Sequence, residues 1–383
     1  MECGAPMRVV YVLTTLAVGG TERQVLAIAA HMAARGHAVA LLVLKRREPE
    51  QCATDLDVVH LDIEKNAASV IGGLRRSIKF VRGFRPDVIH SHNFHGNMLA
   101  RLLRLFYRPA KLVSTIHNVY EGGRLRMLAY RISDRLADRT TAVSATVALR
   151  FVELKAVPKQ KCVMVTNAID MAEFVPDPKR RVAMRAVMGV GEEFVWVSVG
   201  RITAAKDLPN LLQAFGNVCQ VRAETELWIA GDAPAGGETS WAAVAAPEGA
   251  MDRVRRLGLR NDIAALLDAA DAFVLGSAWE GMPLAVGEAM AMQKPVVATD
   301  VGGVRELAGD CGVLATAKDP QALAQAMLAV MVLPAEQRNA MGRAARARII
   351  EHFSMDAKTV EWESLYRSML PSVTGGSEST VLP

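Results

Sequence analysis

The chain has 383 residues, 51% of them apolar and 22% charged, with a net charge of +5. That composition argues for a folded globular protein rather than a disordered one, and the length suits two domains of ordinary size. Five scattered cysteines without a C-x-x-C pair argue against a disulfide framework or a zinc site, and no uninterrupted apolar run reaches the roughly 18 residues of a spanning helix. A reducing cytoplasm is therefore the expected setting. The charge is unevenly placed: residues 1–175 hold 25 Lys and Arg against 15 Asp and Glu, leaving 20 against 25 in the remainder. A basic first half beside an acidic second half points to different partners, with nucleic acid or an anionic membrane surface as candidates for the first.

Met7 to Leu13 reads as a buried strand of a parallel sheet, and the apolar run beginning at Val9 fits a strand better than a signal peptide. Gly19-Gly20 follows, with Thr21 as expected N-cap and Gln24 completing a capping box. Apolar residues from Val25 to Met32 recur at helical spacing, Gly36 closes the helix, and Val39 to Leu44 is a second strand. This βαβ opening indicates a Rossmann-like sheet. Gly19-Gly20 lacks the G-x-G-x-x-G pattern; it is either an ordinary flexible loop or a tight turn exposing amides at a helix start.

Ala67 to Phe84 reads as a helix, and Asp87 to His90 as a strand. That strand delivers a polar cluster, Ser91 to Asn97, to a sheet's carboxyl edge, where ligands bind in open α/β sheets. A helix from Met98 to Phe106 and a strand from Lys111 to Ile116 bring His117-Asn118 to the same edge. His92, His95 and His117 match no zinc spacing, so polar contacts to a substrate are expected from His92, Asn93, His95 and Asn118. The basic stretches 75–85 and 101–111 either lie on anionic lipid or cover the sheet with solvated arginine faces. After a loop and basic helix at 122–136, strands are expected near 140–144 and 161–167. Pro176-Asp177-Pro178 marks a linker.

A second α/β unit opens with a strand from Phe194 to Val199, then Gly200-Arg201, Lys206 and a helix from Leu208 to Val221. Strands are expected at 227–231 and 256–259, an irregular segment at 233–249, and a helix at 262–270. The apolar strand 271–275 then feeds Ser277-Ala278-Trp279-Glu280-Gly281-Met282-Pro283-Leu284-Ala285-Val286-Gly287-Glu288. Pro283 suits the first helical position, where a missing N–H costs nothing. The free N–H groups near Gly281 and Met282 can hold an anion, and Glu280 and Glu288 can hold hydroxyl groups. A strand at 295–298 ends in Asp300-Val301-Gly302-Gly303, and helices at 320–332, 336–352 and 355–370 complete the fold.

The Gly19-Gly20-Thr21-Glu22 loop, Gly200-Arg201 with Lys206, Ile229 to Asp232, Glu280 to Glu288 (E-x7-E, the strongest of the set) and Thr299 to Gly303 occur in this order after apolar strands. In this the chain resembles the family 4 glycosyltransferases, retaining nucleotide-sugar transferases of the GT-B fold, of the bacterial surface-polysaccharide type. The resemblance runs from Met7 to about Leu370 and implies an α/β fold of two Rossmann-like domains facing across a cleft. Residues 1–175 would form the acceptor domain, 176–192 a linker, 193–353 the donor domain, 354–370 a C-terminal helix packing back on the first domain, and 371–383 a disordered tail.

By the same resemblance Arg201 and Lys206 would lie over the donor diphosphate, although unaided they read as surface charges. Glu280 would hold the transferred sugar, with Gly281, Met282, Pro283 and Leu284 near sugar and phosphates, and Glu288 would bind the ribose. Gly19 and Gly20 would approach the phosphates from the first domain. His117 would touch the sugar, and the base would rest near Leu259 and Arg260. No cofactor or metal is expected. The expected partners are a nucleotide-sugar donor, UDP-linked first of all, and a glycan or polyprenyl- or lipid-linked acceptor. Peripheral contact with an anionic membrane at its inner face is a further expectation, nucleic acid is not an expected partner, and the oligomeric state is left open. Alanine replaces the family's usual glycine at Ala168 and Ala233, which puts local loop geometry in question. A sugar-nucleotide epimerase of the same fold and a basic nucleic-acid or anionic-surface binding protein are the alternatives.

Overall fold

A computed structural model describes residues 5–17, 19–46, 54–64, 66–233 and 250–371. The first domain alternates β1 (Arg8–Leu13), α1 (Gly20–Ala34), β2 (Ala38–Val43), β3 (Asp57–His60), α2 (Ala67–Phe84), β4 (Val88–His92), α3 (Asn93–Leu103), β5 (Lys111–Ile116), α4 (Arg124–Ser133), β6 (Arg139–Ala142), α5 (Ala145–Glu153) and β7 (Cys162–Met164). The second holds α6 (Pro178–Met188), β8 (Phe194–Val199), α7 (Leu208–Val221), β9 (Thr225–Ala230), β10 (Val254–Gly258), α8 (Ile263–Ala269), β11 (Ala272–Leu275), α9 (Leu284–Ala291), β12 (Val296–Thr299), α10 (Val304–Ala308) and β13 (Val313–Ala315). Helices α11 (Pro320–Met331), α12 (Ala335–His352) and α13 (Met355–Met369) follow.

Both sheets are parallel throughout. Their orders, β3-β2-β1-β4-β5-β6-β7 and β10-β9-β8-β11-β12-β13, each reverse direction beside the first strand of the domain. That reversal opens a crevice at the carboxyl edge of each sheet. Near-continuous apolar strands such as β1 and β11 are buried because helices cover both faces. The chain crosses between the domains twice. Ile169 pairs with the second crossing through Ile169 N–H to Phe353 O (2.7 Å) and Met355 N–H to Ile169 O (3.0 Å). Helix α13 then returns to the first domain, where Trp362 and Tyr366 join the core around Met7, Val9 and Tyr11.

Several expectations change in detail. Helix α1 begins at Gly20 with Gly19 as its N-cap and no side-chain cap, so Thr21 lies within the first turn. Gln24 is buried and accepts from Ala168 N–H (2.9 Å) instead of closing a capping box. Strand β3 was not expected; it is short, and its ends are Asp57 and His60. Within the polar cluster 91–97, β4 runs on to His92 and α3 starts at Asn93, five residues before the expected Met98. Pro283 is the N-cap of α9, one position before the first helical residue. Segment 176–192 contains α6, whose Arg180 and Arg181 pair with Asp268 and Asp271 of the second domain.

The basic stretches also resolve. In α2, Val81 is buried and Ile78, Phe80 and Phe84 pack beneath the sheet. Arg101 of α3 is 1% exposed and donates to Tyr130 O and Ser133 Oγ, so it is a core residue rather than part of a solvated face. The irregular segment expected at 233–249 and the tail lie outside the described residues except Ala233 and Pro371. Among the described residues no helix is long and apolar enough to cross a membrane.

Candidate active site

The carboxyl edge of the second sheet carries a preassembled charge pair. Lys206 follows β8 and precedes α7; its Nζ donates to Glu280 Oε1 at 2.7 Å. Ser277 Oγ donates to the same oxygen, also at 2.7 Å. The loops carrying the pair are joined by Ala278 N–H to Ala205 O (2.8 Å). Thr299 Oγ1 holds Ser277 O from β12 (2.7 Å), and Gly303 N–H holds Gly281 O (2.8 Å). Gly302 has φ +55°, and a β-carbon there would lie 2.0 Å from Glu280 O, so only glycine lets this turn support the Glu280 loop. Arg201 is exposed beside Lys206.

Glu288 stands in the second turn of α9 and is only 5% exposed. It faces the first domain, where Arg23 Nη1 lies 3.3 Å from Glu288 Oε1. Burial raises its carboxyl to about 7; Arg23 and Lys206 oppose the rise and Glu173 adds to it. It is therefore not a solvated helix residue. Leu259 and Arg260 follow the edge strand β10; Leu259 is exposed, and Arg260 pairs with Asp262 at 2.6 Å.

The facing edge of the first sheet is built from neutral imidazoles. His117 follows β5 and is buried, which lowers its ring to about 3. Its Nε2 lies 3.0 Å from His92 Nδ1, and His92 packs against His90 with ring centroids 4.1 Å apart and the planes tilted by 43°. Burial also holds His92 and His90 well below the usual imidazole range. His90 is pinned between Tyr366 Oη of α13 and Thr115 Oγ1, each at 2.6 Å. Thus α13 supports the histidine row from below. Glu121 accepts from His117 N–H (3.2 Å) and Tyr130 Oη (2.5 Å); burial raises its carboxyl to about 7.

A cavity of about 660 Å³ opens above this row, lined by Thr14, Asn93, His95, Asn118, Arg126 and Arg201 among others. Three of the four residues expected at an acceptor, Asn93, His95 and Asn118, therefore share one wall, whereas His92 lies buried beneath it. Asn93 takes a left-handed backbone (φ 60°) at the start of α3, a conformation asparagine tolerates better than most residues.

The two edges meet. A β-carbon on Gly281 would fall 1.8 Å from His117 O, so the second domain's loop passes directly over the first domain's histidine. Gly20 faces Leu284, where an added β-carbon would be 3.5 Å from Cδ1. Asn167 Nδ2 donates to Met282 O (3.0 Å), and Thr146 Oγ1 to Gly302 O (3.1 Å). Glu280 to Leu284 are thereby set beside Gly19-Gly20 and His117, with Glu288 one turn deeper on Arg23. The sequence reading did not single out Arg23, Glu121 or Arg126. Glu121, an acid four residues after His117 in an otherwise uncharged loop, is the one whose position gave a signal.

Comparison with known proteins agrees with this architecture. Residues 18–173 match the family described as Glycosyltransferase Family 4, and residues 193–332 the family described as Glycosyl transferases group 1. A D-inositol 3-phosphate glycosyltransferase of Segniliparus rotundus is 31% identical, covering 81% of this chain and 72% of its own. A glycogen synthase of Mycobacterium tuberculosis is 27% identical, with 91% of each chain covered. The UDP-Gal:alpha-D-GlcNAc-diphosphoundecaprenol alpha-1,3-galactosyltransferase of Escherichia coli is 24% identical over 76% of this chain and 78% of its own. In fold, the Anabaena protein HepE, crystallised with UDP and glucose, superposes with a TM-score of 0.82 at 20% identity, covering 94% of this chain and 100% of that one. Fold and facing edges define a glycosyltransferase of GT-B architecture. The chain belongs to the family 4 glycosyltransferases.

Proposed function

We propose that the enzyme moves a sugar from a UDP-sugar, with retention and without a metal, to a hydroxyl of a lipid-linked acceptor in cell-surface polysaccharide or glycolipid synthesis. The observation that carries this reading is the Lys206–Glu280 pair at the start of α9, set against the cavity of the first domain. A departing nucleoside diphosphate gains negative charge; Lys206, Arg201 and the free amides at the α9 N-terminus are fixed positive groups for it. Glu280 accepts hydroxyls of the sugar while Lys206 and Ser277 hold it in place. No side chain is assigned as a covalent nucleophile. The acceptor hydroxyl attacks the anomeric carbon on the face the phosphate leaves, and the leaving phosphate oxygen takes its proton. The protein's part is positioning and charge stabilisation. His117, kept neutral by burial, adds no competing charge beside the reacting sugar.

The UDP assignment is supported by the UDP in the HepE crystal and by the UDP-Gal donor in the galactosyltransferase's name. The acceptor assignment rests on α4, which begins directly after the cavity residues Gly122 and Gly123. Its Leu125, Leu128 and Ile132 are 83%, 49% and 62% exposed along one face, flanked by exposed Arg124 and Arg131. An apolar stripe edged with arginine suits an anionic lipid surface, and it stands at the mouth through which an acceptor enters. The enzyme then works at the cytoplasmic face of the membrane.

A thermal-shift panel of UDP-, GDP- and ADP-sugars, followed by transfer to a polyprenyl-diphosphate sugar, tests the reading. Stabilisation by UDP-sugars and product with retained anomeric configuration are expected; inversion, or hydrolysis or isomerisation without transfer, overturns it. The triple variant Leu125→Ser, Leu128→Ser, Ile132→Ser is expected to lose most cosedimentation with anionic vesicles while keeping donor affinity. Unchanged cosedimentation removes α4 from the membrane contact.

A further inference from the structure

The pairing of Arg23 with Glu288 spans the cleft and has no part in the chemistry above. Arg23 lies in the first turn of α1, four residues after Gly19, and its N–H bonds to Gly19 O at 3.0 Å. Its guanidinium is shared between two carboxylates. Nη2 reaches both oxygens of Glu173 at 3.1 and 3.2 Å, and Nη1 reaches Glu288 Oε1 at 3.3 Å. Glu173 belongs to the segment that crosses between the domains, so the fork is aimed from the first domain's side.

We propose that Arg23 is a positioning residue for the donor, holding the Glu288 carboxylate ready to accept the nucleotide's ribose hydroxyls, so that domain closure and donor capture reinforce each other. This rests on Glu288 being the ribose ligand. A carboxylate offers about four lone-pair sites. Arg23 approaches one oxygen and leaves acceptor capacity for two hydroxyls. A protonated Glu288 would instead present a donor and lose part of that capacity.

The electrostatics favour the same role. Glu288 is buried, and the charged groups acting on it are Arg23 from α1, Glu173 from the crossing segment and Lys206 from the loop before α7. Lys206 is already committed to Glu280, so Arg23 is the principal cation left to offset burial and Glu173. With the carboxyl at about 7, donor affinity should fall as pH drops through neutrality. Removing Arg23 moves the carboxyl upward, by about one pH unit for an opposite charge at this range. The ionised fraction at pH 7 then falls about fivefold, and apparent affinity falls with it. At pH 9 both forms are mostly ionised, and the difference narrows to less than about twofold. Arg23 is half-exposed, so its loss is not expected to unfold the protein.

The test is calorimetric titration of UDP into the full chain, with GDP and ADP in parallel, at pH 7 and pH 9. The variants are Arg23→Gln, Arg23→Lys, Glu288→Gln and the Arg23→Gln, Glu288→Gln double. Arg23→Gln should raise Kd about fivefold at pH 7 and under about twofold at pH 9, with kcat at saturating donor little changed. Arg23→Lys should recover part of the loss. In the Glu288→Gln background the Arg23 change should add nothing further. An Arg23→Gln defect that is equal at both pH values, or that adds fully to Glu288→Gln, overturns the proposal and leaves Arg23 a structural ion pair. If Glu288→Gln itself leaves Kd unchanged, the ribose assignment fails and the proposal with it; if none of the three nucleotides binds the wild type, the proposed function fails first.

Discussion

The two carboxyl edges are built on sheets of matching strand order, yet they manage charge in opposite ways. The second domain's edge keeps its ions paired and fastened: Lys206 on Glu280, with Ser277, Ala205 and Gly303 bracing the loops. The first domain's edge holds a row of histidines kept neutral by burial beneath a cavity of about 660 Å³. One side is a rigid electrostatic wall and the other is a container. The scaffold does not decide this; the loops after each strand do. In the proposed reading, the wall does the chemistry common to nucleotide-sugars, and the container is free to suit its acceptor.

This contrast can be broken most severely on the wall. Lys206→Ala or Glu280→Ala is expected to lower transfer by about a hundred- to a thousandfold, with an unaltered circular dichroism spectrum. Full activity in both variants would remove them from the site. The seam between wall and container should come next. Gly281→Ala places a methyl 1.8 Å from His117 O, so closure must fail or the loop must shift, with a loss of about a hundredfold in kcat/KM and little change in melting temperature. A fully active Gly281→Ala would mean that the domains need not meet at His117. The smallest effect is expected below the container. Tyr366→Phe leaves His90 Nδ1 without its buried partner, costing about 1–3 kcal/mol in urea unfolding, while donor Kd is kept. A donor defect in that variant would show that the two edges are less independent than their separate bonding suggests.

Much of this arrangement was legible in the sequence where local pattern and tertiary context agree. Helices 67–84 and 208–221 and the strand Phe194–Val199 are as read, because long amphipathic or apolar runs leave little choice. The Thr21 cap failed because the Gly19-Gly20 turn starts the helix itself, freeing Gln24 to reach Ala168. The apolar residues of α2 fit a sheet-covering helix, with lipid as the alternative, since sequence shows an amphipathic face without showing what covers it. Glu280 and Glu288 stood out as a spaced pair, and Lys206 entered through the family resemblance as a ligand of the donor diphosphate; what the sequence does not show is its pairing with Glu280, 74 positions away, or that of Arg23 with Glu288 across the domains. Pairings of that range come from topology, and no periodicity records them. For the same reason the support of His90 by Tyr366, 276 positions away, was not foreseeable.

That last contact bears on how the protein is made. Helix α13 ends the described chain, yet its Trp362 and Tyr366 belong to the core of the domain that begins it. During synthesis the first domain leaves the ribosome before the second and must wait, with the seat for two large aromatic side chains uncovered, until α13 has emerged. The second domain, contiguous from Pro178 to His352, can close its own core before then. The first domain is thus finished after the second, and a nascent chain halted before α13 carries a histidine row that lacks its Tyr366 support.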